Sequence, residues 1–233
     1  MNISENEIHI YNSFAADDPD VLSSFLTILS EEEINKANRY KFQKDKNNYI
    51  SFRAMLRMIL SQYLYIHPSK LNFFYAEKDK PYIKDTEIKF NISHSENFAV
   101  FAVTKVNEIG IDTEIIRELP DALEIAKNYF SEKEVKVFSK VDHDNYKEAF
   151  FNCWTRKEAF IKAIGEGLSY PLADFSVSFL PGENPEMQWI KGKEDEVKKW
   201  SLFNLDLERD YVTSLAIRSK TVKIERKEIY TSF

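Results

Sequence analysis

The alternation of apolar and polar positions marks Glu7–Tyr11 as a strand, and Asp17–Pro19 interrupts it. Val21–Leu29 then takes up helical spacing. Ser30 followed by Glu33 has the form of a capping box, in which the hydroxyl accepts from the third helical amide while the carboxylate reaches back. A helix from about Glu31 to Phe42 is expected behind it. Between Asn48 and Ile66, apolar residues recur at Phe52, Leu56, Leu60 and Leu64, one stripe of a long helix that Pro68 ends. Leu71–Tyr75, Ile88–Ile92, Phe98–Lys105 and Ile109–Glu114 are rich in β-branched and aromatic residues, and a hairpin or meander is the simplest arrangement. Helical spacing returns after Pro120. Ser131 and Glu134 form a second capping-box pair heading a helix to about Ser139, and Tyr146–Ile164 predicts a long helix closed by Gly165 and Gly167. Phe175–Phe179, Met187–Ile190, Trp200–Leu207, Tyr211–Ile217 and Val222–Ile229 read as antiparallel strands, with Glu194–Lys199 a solvated loop. Helices precede strands twice, the pattern of an α+β chain of two related lobes, although no repeat is visible in the residues themselves.

Composition narrows the classes. Of 233 residues, 43% are apolar and 30% charged, which excludes wholesale disorder, a collagen-like repeat and a membrane bundle. The net charge of −6 offers no global basic field for nucleic acid. The apolar run Phe98–Val103 is far short of the roughly 20 residues that span a bilayer, so no membrane partner is expected. Cys153 is the only cysteine, which excludes an intramolecular disulfide and multi-cysteine metal sites. His9, His67, His94 and His143 have no metal-ligand spacing. The acidic start Met1–Glu7 has neither the basic nor the apolar region of a signal peptide, so cytoplasm is the expected compartment.

The first chemical signal is Gly110–Ile111–Asp112–Thr113–Glu114. On a strand, Asp112 and Glu114 share a face, and two adjacent carboxylates repel unless a cation lies between them. Oxygen donors suit Mg²⁺; a solvated strand end is the plainer reading. The second is the helical stretch Trp154–Lys162, where Glu158 lies beside the apolar positions Phe151, Trp154 and Ile161. Glu158 is either half of a helix salt bridge with Lys162 or a third metal ligand, leaving Lys162 to meet a phosphate. The third is Phe90–Asn91–Ile92–Ser93–His94–Ser95, a strand end followed by small polar groups able to hold a phosphate, or else a satisfied turn histidine. No acid at fixed spacing orients His94 as in a Ser-His-Asp triad. Lys44, Arg53, Arg57 and Lys80 precede it, with Arg53 and Arg57 spaced to meet one anion, and no Gly-rich phosphate loop is present.

Taken together, F-N-I-S-H-S, G-I-D-T-E and F-x-x-x-W-T-R-K-E-A-F-I-K-A-I-G-E-G-L, in this order and spacing over about Arg39–Phe179, resemble the 4′-phosphopantetheinyl transferases of the long, surfactin-synthetase-activating (Sfp) type. The resemblance implies Mg²⁺-dependent transfer of the phosphopantetheine arm of coenzyme A to a serine of an apo acyl or peptidyl carrier protein, with release of 3′,5′-ADP. It also implies a pseudo-two-fold arrangement of two similar α+β lobes, each with helices packed on a small antiparallel sheet. These are residues 1–108 on the nucleotide side and 109–233 on the metal side. Such a pseudo-dimer needs no second chain, so a monomer is expected.

Carried over residue by residue, Asp112, Glu114 and Glu158 fall on the metal-binding acids, and Lys162 on the lysine that contacts the phosphate. His94 with Ser93 falls on the nucleotide end, Lys80 on a G-K-P lysine, and Arg53 and Arg57 on a helix meeting the 3′-phosphate. Glu134 aligns with a proposed general base; it is equally the capping-box acid of its helix, and a metal ligand acting through water is the other base. Phosphoryl transfer is mostly positioning and charge neutralisation, which these residue types supply. Two departures stand out. Asn47, Asn48 and Tyr49 occupy positions where relatives carry arginines, leaving Lys44, Lys46 and Arg53 to compensate. Asp79 replaces the glycine before Lys80, removing an easy left-handed position, so a different turn is expected. An acidic carrier helix would need a local basic or apolar patch, for which Lys127, Tyr129, Phe130, Lys133 and Lys136 are candidates. The competing function is a non-catalytic coenzyme A or carrier-protein binder; a Mg²⁺-dependent phosphohydrolase is a third.

Overall fold

The computed structural model describes residues 1–105 and 107–230, without the Leu168 side chain. Residues 231–233 of the expected second lobe and the Leu168 side chain of the last motif therefore lie outside the described residues. The chain opens with strand β1 (Glu7–Phe14) and helices α1 (Pro19–Leu26), α2 (Glu31–Ala37) and α3 (Gln43–Leu64). A short hairpin of β2 (Phe74–Tyr75) and β3 (Pro81–Tyr82) leads to β4 (Ile88–Ser95) and β5 (Phe98–Lys105). The order then recurs with β6 (Ile109–Ile115), α4 (Ala122–Tyr129), α5 (Glu132–Phe138) and α6 (His143–Ile164). A second hairpin, β7 (Phe175–Val177) and β8 (Met187–Ile190), is followed by the helical turn α7 (Glu194–Val197), β9 (Ser201–Asn204), β10 (Tyr211–Ile217) and β11 (Lys223–Arg226). The three helices after β1 and the three after β6 have the same lengths, 8, 7 and 22 residues. The fold is α+β in two lobes.

One four-stranded sheet runs β11-β1-β5-β4 and one three-stranded sheet runs β6-β10-β9. The apolar run Phe98–Val103 on β5 is wholly buried because both its faces are covered. Phe101 and Val103 pack with Leu56 and Leu60 of α3, while Phe98 and Val100 pack with Ile111 and Leu215 of the other sheet. In the second lobe, Phe150, Phe160 and Ala163 of α6 pack with Val212 and Ala216 of β10.

Several boundaries differ from the pattern. α2 stops at Ala37 rather than Phe42, and α3 starts at Gln43 rather than Asn48; its first turn is largely exposed, so apolar spacing does not reveal it. The expected strand Leu71–Tyr75 shrinks to two residues, since the Leu71 carbonyl accepts from Arg57 Nη1 at 3.0 Å instead of from a strand. The segment expected as a loop at Glu194–Lys199 contains α7. β11 is not antiparallel to its neighbour: it returns to the first sheet and pairs parallel with β1, His9 opposite Glu225.

β4 and β6 are the facing edges of the two sheets, and side chains join them. Asn91 Oδ1 accepts from the Ile111 amide at 2.8 Å, Ser93 Oγ from Thr113 at 3.4 Å and Ser95 Oγ from Ile115 at 3.3 Å. Alternate residues of β4 thus satisfy alternate amides of β6, which would otherwise be buried donors without acceptors.

Candidate active site

Gly110 lets β6 lie against α6. A Cβ there would sit 2.0 Å from the Ala159 carbonyl and 2.4 Å from the Ala163 amide, contacts no side chain tolerates. This close approach brings Asp112 and Glu114, both further along β6, beside Glu158 and Lys162 on α6. Asp112 is 4% exposed. Its Oδ1 accepts from Lys162 Nζ at 2.6 Å and from Ser93 Oγ at 2.8 Å. Lys162 Nζ also donates to Ser93 Oγ at 2.9 Å, and Ser95 Oγ donates to Glu114 Oε2 at 2.7 Å.

Two oxygens stand apart. Asp112 Oδ2 and Glu158 Oε1 are buried and have no hydrogen-bond partner among the described residues. Burial pushes the Glu158 carboxyl up to about 7, with the Asp112 and Glu114 charges adding to the shift and Lys162 opposing it. Glu114 is also raised, first by burial and then by Asp112, against the Ser95 hydrogen bond, Arg117 and Lys162. Glu158 and Glu114 therefore both feel the charge of Asp112. Among the described residues, no three His, Cys, Asp or Glu groups converge into a ready-made cage. Mg²⁺ does not need one, because it takes one or two carboxylates and completes its shell with water and substrate oxygens. Two orphaned carboxylate oxygens beside a third acid fit such an ion.

On the β4 side lies a cavity of about 620 Å³ whose walls include Lys36, Lys44, Arg53, His94, Ser95 and Arg117. His94 stacks on Phe52 with ring centroids 5.3 Å apart. It is exposed at the cavity yet hemmed in by protein, and burial lowers its pKa, Lys162 adding to the effect and Asp112 opposing it. Lys44 pairs with Glu96 at 2.6 Å. A larger cavity of about 730 Å³ adjoins it through Lys36, Tyr49 and Arg53 and is walled further by Phe73, Tyr75 and Asp79. Size does not identify the reaction centre here, since neither cavity is lined by Asp112, Glu158 or Lys162. Ser95 and His94 connect the smaller cavity to the acids.

Three expected site residues, Arg57, Lys80 and Glu134, are held by partners of their own. Arg57 is 2% exposed. It donates from Nε to Glu33 Oε2 at 2.8 Å and from Nη1 to the Pro68 and Leu71 carbonyls at 2.7 and 3.0 Å, so it ties α2 and the turn after α3 to α3, while still forming part of the wall of the larger cavity. Arg53 also bonds Glu33, but it reaches the cavities, stacks on Phe73 at 3.9 Å and donates to the Tyr75 hydroxyl at 3.0 Å. Lys80 turns from both cavities and donates to the Ala163 and Ile109 carbonyls at 2.8 and 3.2 Å.

Glu134 is 1% exposed and is no accessible base. It closes the capping box with Ser131, accepts from the Val177 amide at 2.8 Å and pairs with buried Lys157 at 2.8 Å. Lys157 in turn donates to the Leu172 and Phe175 carbonyls, as Arg57 does to Pro68 and Leu71 in the first lobe. Glu33–Arg57 and Glu134–Lys157 are the same structural device used twice. Of the suggested docking residues, Phe130 is 3% exposed and belongs to the core, whereas Tyr129 is 45% exposed and packs edge-on against Trp154. Asp79 does not alter the handedness of its turn, for it adopts the left-handed φ of 60° itself. Lys36 and Arg117 join the cavity without having been singled out; each is a lone cation whose only signal was its charge.

Residues 108–216 match the 4′-phosphopantetheinyl transferase superfamily, and residues 17–106 match the N-terminal part described for a 4′-phosphopantetheinyl transferase. The 4′-phosphopantetheinyl transferase HetI of Nostoc sp. is 30% identical over 222 residues, covering 93% of this chain and 90% of that protein. The 4′-phosphopantetheinyl transferase Sfp of Bacillus subtilis is 35% identical over 154 residues, 66% of this chain and 67% of its own length. With nearly its full length aligned at this identity, the chain is an enzyme of the 4′-phosphopantetheinyl transferase family.

Proposed function

We propose that this enzyme transfers the 4′-phosphopantetheine arm of coenzyme A to a serine of an apo acyl or peptidyl carrier protein, with Mg²⁺ as resident ion and 3′,5′-ADP as the second product. The observation that carries the reading is the pair of buried, unpartnered oxygens, Asp112 Oδ2 and Glu158 Oε1. Asp112, Glu158 and Glu114 are the residues that would hold the ion. Once bound, Mg²⁺ supplies charge neutralisation at the pyrophosphate and stabilises the leaving oxygen. Lys162 is partly exposed, with 29% of its side chain accessible, and presents its ammonium to the charge developing on the transferred phosphate. His94, Lys44, Arg53, Lys36 and Arg117 bind and orient the phosphorylated nucleotide end in the cavity beside β4. The serine oxygen forms the new bond to phosphorus as the pyrophosphate P–O bond breaks. With Glu134 walled off, the serine proton goes to a carboxylate of the acidic site, through water.

The lobes, residues 1–108 and 109–233 except for β11, which joins the first sheet beside β1, divide the task into a nucleotide side and a metal side. The carrier docks along α4 and α5 through Lys127, Tyr129, Lys133 and Lys136, a basic and aromatic strip whose Tyr129 packs on Trp154, one turn before Glu158 on α6. Lys127→Glu is expected to weaken carrier binding severalfold, and unchanged affinity would remove this surface. The function itself is tested by incubating the protein, Mg²⁺, coenzyme A and a panel of apo carriers and weighing each carrier. A gain equal to the arm's mass, abolished by a chelator, is expected. No gain on any carrier would leave a non-catalytic binder, and coenzyme A cleavage without an acceptor would indicate a hydrolase. Among the described residues, no helix is long and apolar enough to cross a membrane.

A further inference from the structure

The geometry points to Lys80 as a positioning residue that clamps the β2–β3 loop of the first lobe onto the last turn of α6, and through it sets Lys162 and Glu158; this deepens, and rests on, the transferase reading. Its ammonium donates to the Ala163 carbonyl at 2.8 Å and the Ile109 carbonyl at 3.2 Å, with the Glu108 carboxylate 3.7 Å away. Ala163 directly follows Lys162, and its carbonyl is among the last of α6, which have no acceptor role left within the helix. A cation there also complements the negative end of the helix dipole. Ile109 begins β6, the strand that carries Asp112 and Glu114. A single ammonium therefore ties together the ends of both elements that bear the acidic site.

The loop is seated independently of that ammonium. Gly165 and Gly167, after α6, have φ of +76° and +57°, and a Cβ on them would meet Lys80 Cδ at 3.6 Å and Lys78 Cβ at 3.7 Å. The loop closes on itself through Ala76 N to Lys80 O and Asp79 N to Ala76 O, both 3.0 Å, with Asp79 left-handed. Asp79 lines the larger cavity while Lys80 lines neither. One face of this turn thus walls the nucleotide side and the other grips the helix that carries Lys162.

Lys80→Met keeps the stem and removes the donors. Its transferase kcat is expected to fall about tenfold to a hundredfold, the scale of a small misplacement of reacting groups. Coenzyme A affinity, measured by calorimetry without carrier, stays within about threefold. Amide exchange of the peptide covering Ile161–Gly167 rises. Lys80→Arg keeps the charge and a fork of donors, so it is expected to restore protection and most of kcat; if the methionine variant does not fold, Lys80→Gln, shorter and uncharged, carries the same comparison. A tenfold or greater loss of coenzyme A affinity in either variant would make Lys80 a nucleotide ligand and overturn the inference. Unchanged kcat and unchanged exchange in Lys80→Met would overturn it equally. Failure of the wild-type protein to load any carrier counts against the transferase reading alone, since the exchange and calorimetry still decide the clamp.

Discussion

Replacing Glu158 by glutamine is expected to stabilise the metal-free protein, although it removes a proposed ion ligand. The carboxyl is pushed from its ordinary 4.5 up to about 7, chiefly by burial and then by Asp112, and Oε1 has no partner among the described residues. The folded state holds this proton more tightly than the unfolded chain does. Between about pH 4.5 and pH 7 the unfolded chain therefore binds fewer protons, and stability falls as pH rises. At about 1.4 kcal/mol per unit, the full penalty is near 3 kcal/mol above pH 7. Partial solvent access reduces it to about 1–2 kcal/mol. Glutamine has the same shape without the charge and escapes the penalty. For a chain of this size the gain corresponds to roughly 3–6 °C in Tm at pH 8. Urea unfolding of both proteins, with divalent ions removed, should show the variant ahead at pH 8 and the two nearly level at about pH 4.5. Added Mg²⁺ should narrow the difference by stabilising the wild type. A pH-independent gap, or a wild type more stable than the variant at pH 8 without metal, would refute the reasoning.

Glu134→Gln leaves the Lys157 ammonium buried without its counter-charge and should lower stability by about 3–5 kcal/mol. Assayed well below its own Tm, however, it should keep kcat within about threefold, because the side chain does not reach the site; a folded variant with kcat down by orders of magnitude would restore Glu134 as the base. Gly110→Ala drives a methyl into the Ala159 carbonyl, 2.0 Å away, and should destabilise by about 3 kcal/mol as read by chemical denaturation, with loss of metal binding as β6 moves off α6. Asp79→Gly relieves a left-handed aspartate at φ 60° and should raise stability by about 0.5–1 kcal/mol in the same assay.

The parts of the fold that were legible are those in which the signal is local. Both capping boxes could be read because Ser and Glu stand three residues apart, and the hydrogen bonds they predict are present. The further partner of each glutamate was not legible: Arg57 and Lys157 lie on the following long helix, and only the packing of helix on helix brings them back. That is why nothing local to Glu134 set aside the base role that the resemblance implied for it. The contacts of Lys80 were not legible for a related reason. Its targets are carbonyls, which every residue carries, so no motif records them. The strand at Lys223–Arg226 showed its propensity but not its neighbour, because the choice between an adjacent strand and distant β1 is made by the closure of the sheet. The D-x-E alternation and the stripe beside Glu158 placed the acids correctly on their elements. Their side-by-side packing depends on Gly110, whose meaning appears only once α6 is seen against it.

The two halves share a scaffold but not a chemistry. α3 begins at Gln43 and α6 at His143, each with 22 residues, so Glu158 and Lys162 correspond to Met58 and Gln62 in the first lobe. Met58 is 2% exposed and packs in the core, where an acid would have no counter-charge. What the first lobe contributes instead is its edge strand. Ser93 bonds Asp112 and Lys162, Ser95 bonds Glu114, and the same two hydroxyls accept the amides of Thr113 and Ile115. The hydroxyls that orient the acids are thus also the groups that join the sheets. Neither lobe can present the acids in this geometry alone, and any displacement of β4 along β6 disturbs the site before it disturbs either core.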